Sequence, residues 1–200
     1  MSKVFAALIG IEAILVVAGI AVASAAPGVA SAGAKKMAND GTPINACALL
    51  SNAEVEGVVG KKLSDGTRQD EGVIADNPFV TTGTYSSTCF WQVVDPTLAP
   101  DPDLPMHGAS FIILNAMQWP DGPDGAHRFL QGFHDAAKAG EIPHEPIAVQ
   151  VKEEALWWGD GVAGRVRDRS YGISVHIVGN SKSQEQQHEE ALANKIAPRL

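Results

Sequence analysis

The sequence predicts an α+β fold in which a single antiparallel sheet is covered by about three helices. Several segments alternate apolar and polar residues, as strands with one buried face do. Other segments repeat apolar residues at the period of a helix. The last two strand candidates are separated by three residues only, which is short enough for a hairpin. Because the helices interrupt runs of strands that suit antiparallel pairing, helices packed on one sheet are the simplest architecture.

The chain begins with the parts of an export signal. Lys3 precedes an apolar run that carries one charge, Glu12, and ends in the small-residue tripeptide Ala-Ser-Ala at 23–25. The run is about 20 residues long, which is also enough for a membrane-spanning hydrophobic helix over residues 4–25. Residues 1–25 are therefore predicted to be either a cleaved signal peptide or a retained membrane anchor. Both alternatives place the rest of the chain in the periplasm or outside the cell, and the second tethers it to the cytoplasmic membrane.

Residues 26–45 are small and polar without periodicity, and we interpret them as a flexible linker. Residues 46–200 are expected to form one globular α+β domain, which is long enough to bury a core. The formal net charge is −8 and no cluster of Lys and Arg is present. This composition argues against a nucleic-acid partner and against charge-driven docking on anionic lipid. Contact with a membrane is expected only through residues 4–25, if they are retained.

The first half of the domain predicts one helix and two strands. Residues 47–59 form a helical pattern that Gly60 stops, although Ser51 and Glu54 have capping-box spacing and the regular helix is alternatively expected to begin there. Residues 61–80 show a weaker pattern. Residues 84–94 alternate as a strand, and residues 109–117 are apolar on both faces, which is typical of a central strand. The segment 95–107 between them contains four prolines and is predicted to be a loop.

The second half predicts a helix, a group of strands and a closing helix. The helix covers about 124–139 and ends at Gly140. The strand candidates are 147–151, 155–158, 162–167 and 171–178, the last two joined by a turn at 168–170. Asn180 or Ser181 is expected to cap the closing helix, which continues to about Ala197.

The sequence has two cysteines, Cys47 and Cys89, and both follow the export signal. In an oxidising compartment an isolated pair is most simply a disulfide bond. The alternatives are two free thiols, or a catalytic thiol that works with a histidine. The sequence has no Cys-x-x-C redox pair, and two cysteines alone do not make a structural zinc site. We therefore predict a Cys47–Cys89 bridge between the first helix and the first clear strand.

Three short motifs carry a resemblance to a known group of proteins. Residues 47–55 read Cys-Ala-Leu-Leu-Ser-Asn-Ala-Glu-Val, residues 89–91 read Cys-Phe-Trp, and residues 154–157 read Glu-Ala-Leu-Trp. With these motifs the chain resembles uncharacterised exported bacterial envelope proteins, many of them actinobacterial lipoproteins, that open with a Cys-x-Leu-Leu-(Ser/Thr)-x-Ala-Glu-Val helix. The resemblance covers most of 45–198 and implies a PsbP-like α/β/α fold. It implies no activity, and the lipid-anchor cysteine of many members has no counterpart near residue 25.

No constellation in the sequence predicts catalysis, a metal or a cofactor. His127 and His134 lie seven residues apart on the predicted second helix, about 10 Å along its axis, which is too far for joint chelation of one ion. The nucleophile motifs Gly-x-Ser-x-Gly and Ser-x-x-Lys are missing. We therefore expect an envelope domain that binds a protein partner or a small ligand without catalysis. The alternatives are an accessory subunit of a membrane complex anchored by residues 4–25, and a hydrolase or metal-dependent enzyme.

The predicted binding surface combines the tandem tryptophans with the proline-rich loop. In a strand Trp157 and Trp158 point to opposite faces, so that one fills a core and the other reaches the far face. The 95–107 loop, with Pro100 and Pro102, is stiff enough to form a preorganised rim at one end of the sheet. The alternative is that both indoles are buried and that the loop only crosses the surface.

Overall fold

The structure, a computed structural model, describes residues 43–75, 80–94 and 110–200. The predicted leader at 1–25, nearly all of the predicted linker at 26–45 and the predicted loop at 95–107 lie outside the described residues. Within the described ranges, no helix is both long and apolar enough to cross a membrane.

The described residues form the predicted α+β fold, with one antiparallel sheet and three helices. The strands are β1 (Thr67–Val73), β2 (Tyr85–Gln92), β3 (Phe111–Gln118), β4 (Ile147–Ala148), β5 (Glu154–Trp157), β6 (Val162–Val166) and β7 (Arg169–His176). The helices are α1 (Asn52–Val59), α2 (Pro123–Lys138) and α3 (Lys182–Ile196), with short 3-10 turns at Ala46–Ala48 and Ala197–Arg199. The strand order is β1-β2-β3-β7-β6-β5-β4, so that β3 and β7 pair at the centre although they are far apart in sequence.

Helices pack on both faces of the sheet. On the first face, α1 and α3 cover a core that includes Trp91 of β2, Ile173 of β7 and Leu192 of α3. On the second face, α2 packs Phe129 and Phe133 against Ala163 of β6 and against Trp158. β3 is buried along almost its whole length, and this confirms the central position that its doubly apolar pattern predicts.

The first helix begins at Asn52, as the capping-box alternative predicts, and not at residue 47. The Ser51 hydroxyl accepts a hydrogen bond from the Glu54 amide, and the Glu54 carboxylate accepts one from the Ser51 amide. This reciprocal pair satisfies two amides that would otherwise have no partner at the helix start. Cys47 therefore lies in the preceding 3-10 turn, Ala46–Ala48.

Arg199 joins the two ends of the described domain. Its Nη1 donates to the Leu49 carbonyl at 2.6 Å and to Glu54 Oε2 at 2.9 Å, and its Nη2 donates to the other Glu54 oxygen. The guanidinium of Arg199 holds the pKa of the Glu54 carboxyl well below its usual range. Glu54 thus caps α1 and binds the C-terminal turn at the same time.

The strand β1 lies in the weakly patterned segment 61–80 and was not predicted. It forms the edge of the sheet beside β2, and nearly all of its residues are exposed. A strand with no buried face has no apolar alternation, so periodicity does not detect it. Its charged side chains and a bulge between Asp70 and Gly72 suit an edge that must not pair with a second chain.

The turn between β6 and β7 is shorter than predicted. Val166 pairs with Arg169, so only Arg167 and Asp168 form the turn, whereas Arg169 and Ser170 belong to β7. Arg167 has a φ of 55°, and its amide donates to the Glu153 carboxylate at 3.0 Å. The sequence did not predict this conformation because the turn has neither Gly nor Asn.

The disulfide bond Cys47–Cys89 confirms the predicted pairing, with the two Cα atoms 4.9 Å apart. Cys89 is fully buried beside Trp91, whose indole nitrogen donates to Asn52 Oδ1 at 2.8 Å. Gly66 passes close to both side chains, since a Cβ there would lie 2.7 Å from Trp91 Nε1 and 3.0 Å from Cys89 Sγ. A buried disulfide fits an oxidising compartment outside the cytoplasm.

Removal of the disulfide is expected to lower the stability of the domain strongly. The bridge closes a segment of 42 positions, and the chain-entropy model assigns such a loop about 4 kcal/mol. The double variant Cys47→Ala/Cys89→Ala should therefore unfold at a lower urea concentration than the oxidised wild type. The wild type in the presence of a reductant is the matched control and should behave like the variant. Equal unfolding midpoints in all three samples would contradict the prediction.

Candidate functional site

The tandem tryptophans point to opposite faces of the sheet. Trp158 is 7% exposed and packs against Phe133, with the ring centroids 5.7 Å apart. Trp157 is half-buried against the first core, and its Nε1 donates to Glu189 Oε2 at 3.0 Å. Both indoles therefore belong to the packing of the domain. The rim expected at Pro100 and Pro102 lies outside the described residues and stays a prediction.

The register places the tryptophans at one particular end of the sheet. Trp157 is aligned with Val162, Val162 with Ile173, Ile173 with Leu114, and Leu114 with Cys89. The turn after Trp158 therefore lies at the end where β2 stops, β3 starts and β7 stops. The connection from β2 to β3 begins and finishes at this same end.

Two buried glutamates of α3 bind the backbone at the end of β7 and directly after it. Glu189 Oε1 accepts from the Val175 amide at 3.1 Å, and Glu185 Oε1 accepts from the Ile177 amide at 3.2 Å. The pairing of β7 with β6 stops at Ile173. The two carboxylates therefore replace the carbonyls of a neighbouring strand for the last part of β7.

Burial raises the pKa of Glu189 to about 7, although the amide of Val175 and the indole of Trp157 both donate to it. The charge of Glu185 also raises this pKa, and that of Lys182 lowers it. Two further charged or titratable side chains lie next to Glu185 and Lys182. His176 Nδ1 lies 3.4 Å from Glu185 Oε1, and Lys182 Nζ lies 2.6 Å from Asp160 Oδ1.

Sequence reasoning missed this pair because glutamates on a helix usually face solvent. The available signal was the spacing. Residues 185 and 189 lie on the helical face that Leu192 and Ile196 continue, and all four are buried. Two carboxylates on the apolar face of a helix predict specific buried partners.

The two histidines of α2 bind different carboxylates. His127 Nδ1 lies 3.3 Å from Glu154 Oε2, the oxygen that also accepts from Arg165 Nε at 2.7 Å. His134 Nδ1 lies 2.6 Å from Glu145 Oε1. In the part of the chain that the structure describes, no three His, Cys, Asp or Glu residues are grouped so that they could hold a metal ion.

The second face of the sheet is only partly covered by α2, whose main sheet contacts are with β6 and β7. Among the described residues, the core under α2 contains no residue of β1 or β2. The part of this face over β2, β3 and β7 we call the half-face; it consists of Thr88, Phe90, Gln92, Phe111, Ile113, Asn115, Gly172, Ser174 and His176. These residues alternate with those buried in the first core, so the sheet pleat itself directs them to the second face.

Aromatic rings form a row at the end of the half-face. The ring centroids of Phe90 and Phe111 are 6.0 Å apart, and those of Phe111 and His176 are 5.3 Å apart. The phenylalanines are partly exposed, and the His176 side chain is 50% exposed. Val178 is 60% exposed at the same end, where its amide donates to Ser110 Oγ.

Asn115 lies at the centre of the half-face and is 3% exposed. Its Nδ2 donates to Ser86 Oγ at 3.1 Å and to Thr88 Oγ1 at 2.9 Å, and both acceptors belong to β2. On the other side of β3, Gly172 of β7 is aligned with Asn115. Within the described ranges, no atom lies within 4 Å of the position that a Cβ on Gly172 would occupy.

No family model, no curated protein and no solved structure matches this chain. The resemblance that the sequence motifs carry therefore stays a prediction.

The pKa of Glu189 predicts a pH-dependent stability. A carboxyl whose pKa rises from 4.5 to about 7 on folding holds its proton more tightly in the folded state. Its contribution is complete below about pH 4.5 and is lost as the pH rises through 7. At about 1.4 kcal/mol per pKa unit, the upper bound of the loss is about 3 kcal/mol.

Urea unfolding of the wild type between pH 4.5 and 8 should therefore show a fall in the free energy of unfolding that the variant Glu189→Gln lacks. The matched control is Glu190→Gln on the same helix, whose carboxylate accepts a hydrogen bond from Gln186. The control should keep the wild-type profile. Parallel profiles for the wild type and Glu189→Gln would refute the prediction.

Proposed function

We propose that this protein is an exported domain of a bacterial cell envelope that binds a small ligand or a protein partner without catalysing a reaction. The observation that carries the proposal is the row of partly exposed rings on the half-face. Apolar aromatic surface in contact with water is unfavourable, so a row of such rings beside polar groups is typical of a binding surface. Trp157 and Trp158 contribute by fixing the adjacent turn from both faces of the sheet.

Three features support the proposed location. Residues 1–25 have the composition of an export signal. The Cys47–Cys89 disulfide favours an oxidising compartment. The motifs resemble those of envelope proteins, and a sheet with helices on both faces agrees with the PsbP-like α/β/α architecture that the resemblance implies. We therefore propose a periplasmic or extracellular domain.

A second candidate function is an accessory subunit of a membrane complex. It is favoured by the length of the apolar run at the N-terminus, which is sufficient for a retained hydrophobic helix over residues 4–25. In that case the domain would stay at the outer side of the cytoplasmic membrane, and its partner would be a membrane protein. Mass spectrometry of the native N-terminus distinguishes a cleaved from a retained segment.

The proposed function predicts that substitution in the aromatic row removes binding. The full chain with its native N-terminus is purified from its own membranes and periplasm, and co-purifying proteins and small molecules are compared with those of Phe111→Ser. The matched control is Val73→Ser, which replaces an exposed apolar residue on the edge strand β1, at the opposite end of the sheet from Phe111. We expect species that are retained by the wild type and the control and lost by Phe111→Ser. An identical set of species for all three proteins would contradict the proposal.

A further inference from the structure

The first half of α3 is attached to the domain without a buried apolar side chain. Within residues 182–191 the buried side chains are those of Glu185 and Glu189, whereas the buried apolar side chains of the helix lie between Leu192 and Ile196. Apolar burial supplies most of the packing stability, and a segment without it opens locally at a lower cost in free energy than the rest of a domain. The start of α3 is therefore held by its polar contacts.

The two glutamates make the contacts that hold this half of the helix on the sheet. Glu189 joins α3 to two strands, because its Oε1 accepts from the Val175 amide and its Oε2 from the Trp157 indole. Glu185 accepts from the Ile177 amide. All three N–H groups depend on these carboxylates for the hydrogen bonds that the structure gives them.

We propose that residues 182–191 are a pH-sensitive latch, which is docked on β7 while Glu189 holds a proton and detaches locally as the pH rises and Glu189 ionises. The direction follows from burial. An ionised carboxylate is more costly to keep away from water than a neutral carboxyl group. Detachment returns the carboxylate of Glu189 to water, so ionisation favours the detached state.

The pH range of the latch follows from the pKa of Glu189. Burial raises this pKa from 4.5 to about 7 in the docked state. In the detached state the carboxyl is in water and regains its ordinary pKa. The docked state therefore holds the proton more tightly, and the latch is closed most firmly below about pH 4.5 and weakens as the pH rises through 7.

The charges on α3 and on the turn after Trp158 act on Glu189 in opposite directions. The negative charge of Glu185 raises the pKa of Glu189, and the positive charge of Lys182 lowers it. Lys182 Nζ lies 3.1 Å from Glu185 Oε2 and 2.6 Å from Asp160 Oδ1, so its charge is shared between two acids. Glu185 and Lys182 therefore offset each other at the buried carboxyl, and burial remains the main cause of its raised pKa.

Three further titratable side chains lie near Glu189. His188 and Glu190 flank it in sequence and project to other sides of the helix, since adjacent helical positions do not face each other. His176 Nδ1 lies 3.4 Å from Glu185 Oε1. Imidazoles ordinarily lose their charge between pH 5 and 8, and a loss of charge at His176 would weaken the same end of α3. The experiment must therefore separate His176 from Glu189.

Opening of the latch changes the aromatic row. The ring of His176 packs against Phe111, with the centroids 5.3 Å apart, while its Nδ1 meets Glu185 of the latch. When the latch detaches, His176 loses this carboxylate, and the end of β7 becomes a short free strand edge beside the row. This consequence rests on the proposed binding function, whereas the latch itself does not.

The test is residue-resolved hydrogen exchange of the full chain by NMR at pH 5 and pH 8, corrected for the intrinsic exchange rate at each pH. We expect the protection of the Val175 and Ile177 amides to fall about tenfold or more between the two pH values. Glu189→Gln should abolish this fall, because a glutamine does not ionise. Glu190→Gln is the matched control on the same helix and should behave like the wild type.

Urea distinguishes local detachment from unfolding of the whole domain. The Val175 and Ile177 amides should exchange faster than the amides of β3 at both pH values. Low concentrations of urea should accelerate exchange in β3 and leave these two amides unchanged, because local opening exposes little new surface.

Two further variants keep the test decisive. The amide nitrogen of a glutamine cannot accept from the Trp157 indole, so Glu189→Gln/Trp157→Phe gives the same readout if the single variant does not fold. His176→Gln removes the other group that titrates in this range, and the fall in protection should persist in it.

The outcomes separate the latch from the proposed function. Equal protection of Val175 and Ile177 at both pH values overturns the latch, and so does exchange at the rate of the β3 amides with the same dependence on urea. A fall that persists in Glu189→Gln and disappears in His176→Gln overturns the role of Glu189. If the latch opens while the species lost by Phe111→Ser are retained equally by the wild type at pH 5 and pH 8, the latch stands and its link to the aromatic row falls. If Phe111→Ser loses no species at either pH, the proposed function falls and the latch is judged by exchange alone.

Discussion

The pairing of β3 with β7 is the interaction on which the rest of the fold depends. Both strands are eight residues long, they pair along their whole length, and they bring together segments that more than fifty residues separate. Because β3 is apolar on both faces, a sheet built around it must be covered on both sides. The first face is covered by α1 and α3 together, and the second is covered by α2 over β6 and β7. The half-face lies on the same second side, over β2, β3 and part of β7, and its position follows from the central pair.

The buried carboxylates of α3 have the same origin. β7 continues past the start of β6, so its last amides on that side have no strand beside them. In most sheets such amides bind water or pair with a longer neighbouring strand. Here the side chains of a helix accept their hydrogen bonds. The consequence is that α3 is held by polar contacts at its start and by apolar contacts at Leu192 and Ile196. Orientation and register of the helix are thus specified by two different kinds of interaction.

The elements predicted correctly from the sequence are those in which each face has a single environment, either buried or exposed. Each of these elements depends on residues that are close in sequence. The examples are the alternation around Cys89 and Trp91, the helical repeat of Phe129 and Phe133, and the capping pair of Ser51 and Glu54. β1 was missed because an exposed edge strand has no contrast between its faces. Glu189 was missed because its partners, Val175 and Trp157, lie on strands and not on its own helix.

The disulfide has a mechanical consequence. Cys47 lies only a few residues after the start of the described domain, and its sulfur is bonded to a central part of β2. Tension applied to the chain before Cys47 therefore passes through a covalent bond straight into the sheet. The segment between the two cysteines, which contains α1 and β1, is outside this path and carries no load. A domain pulled from its N-terminal side would in this way resist stepwise unfolding of its first elements, and the sheet itself would be its weakest point under force.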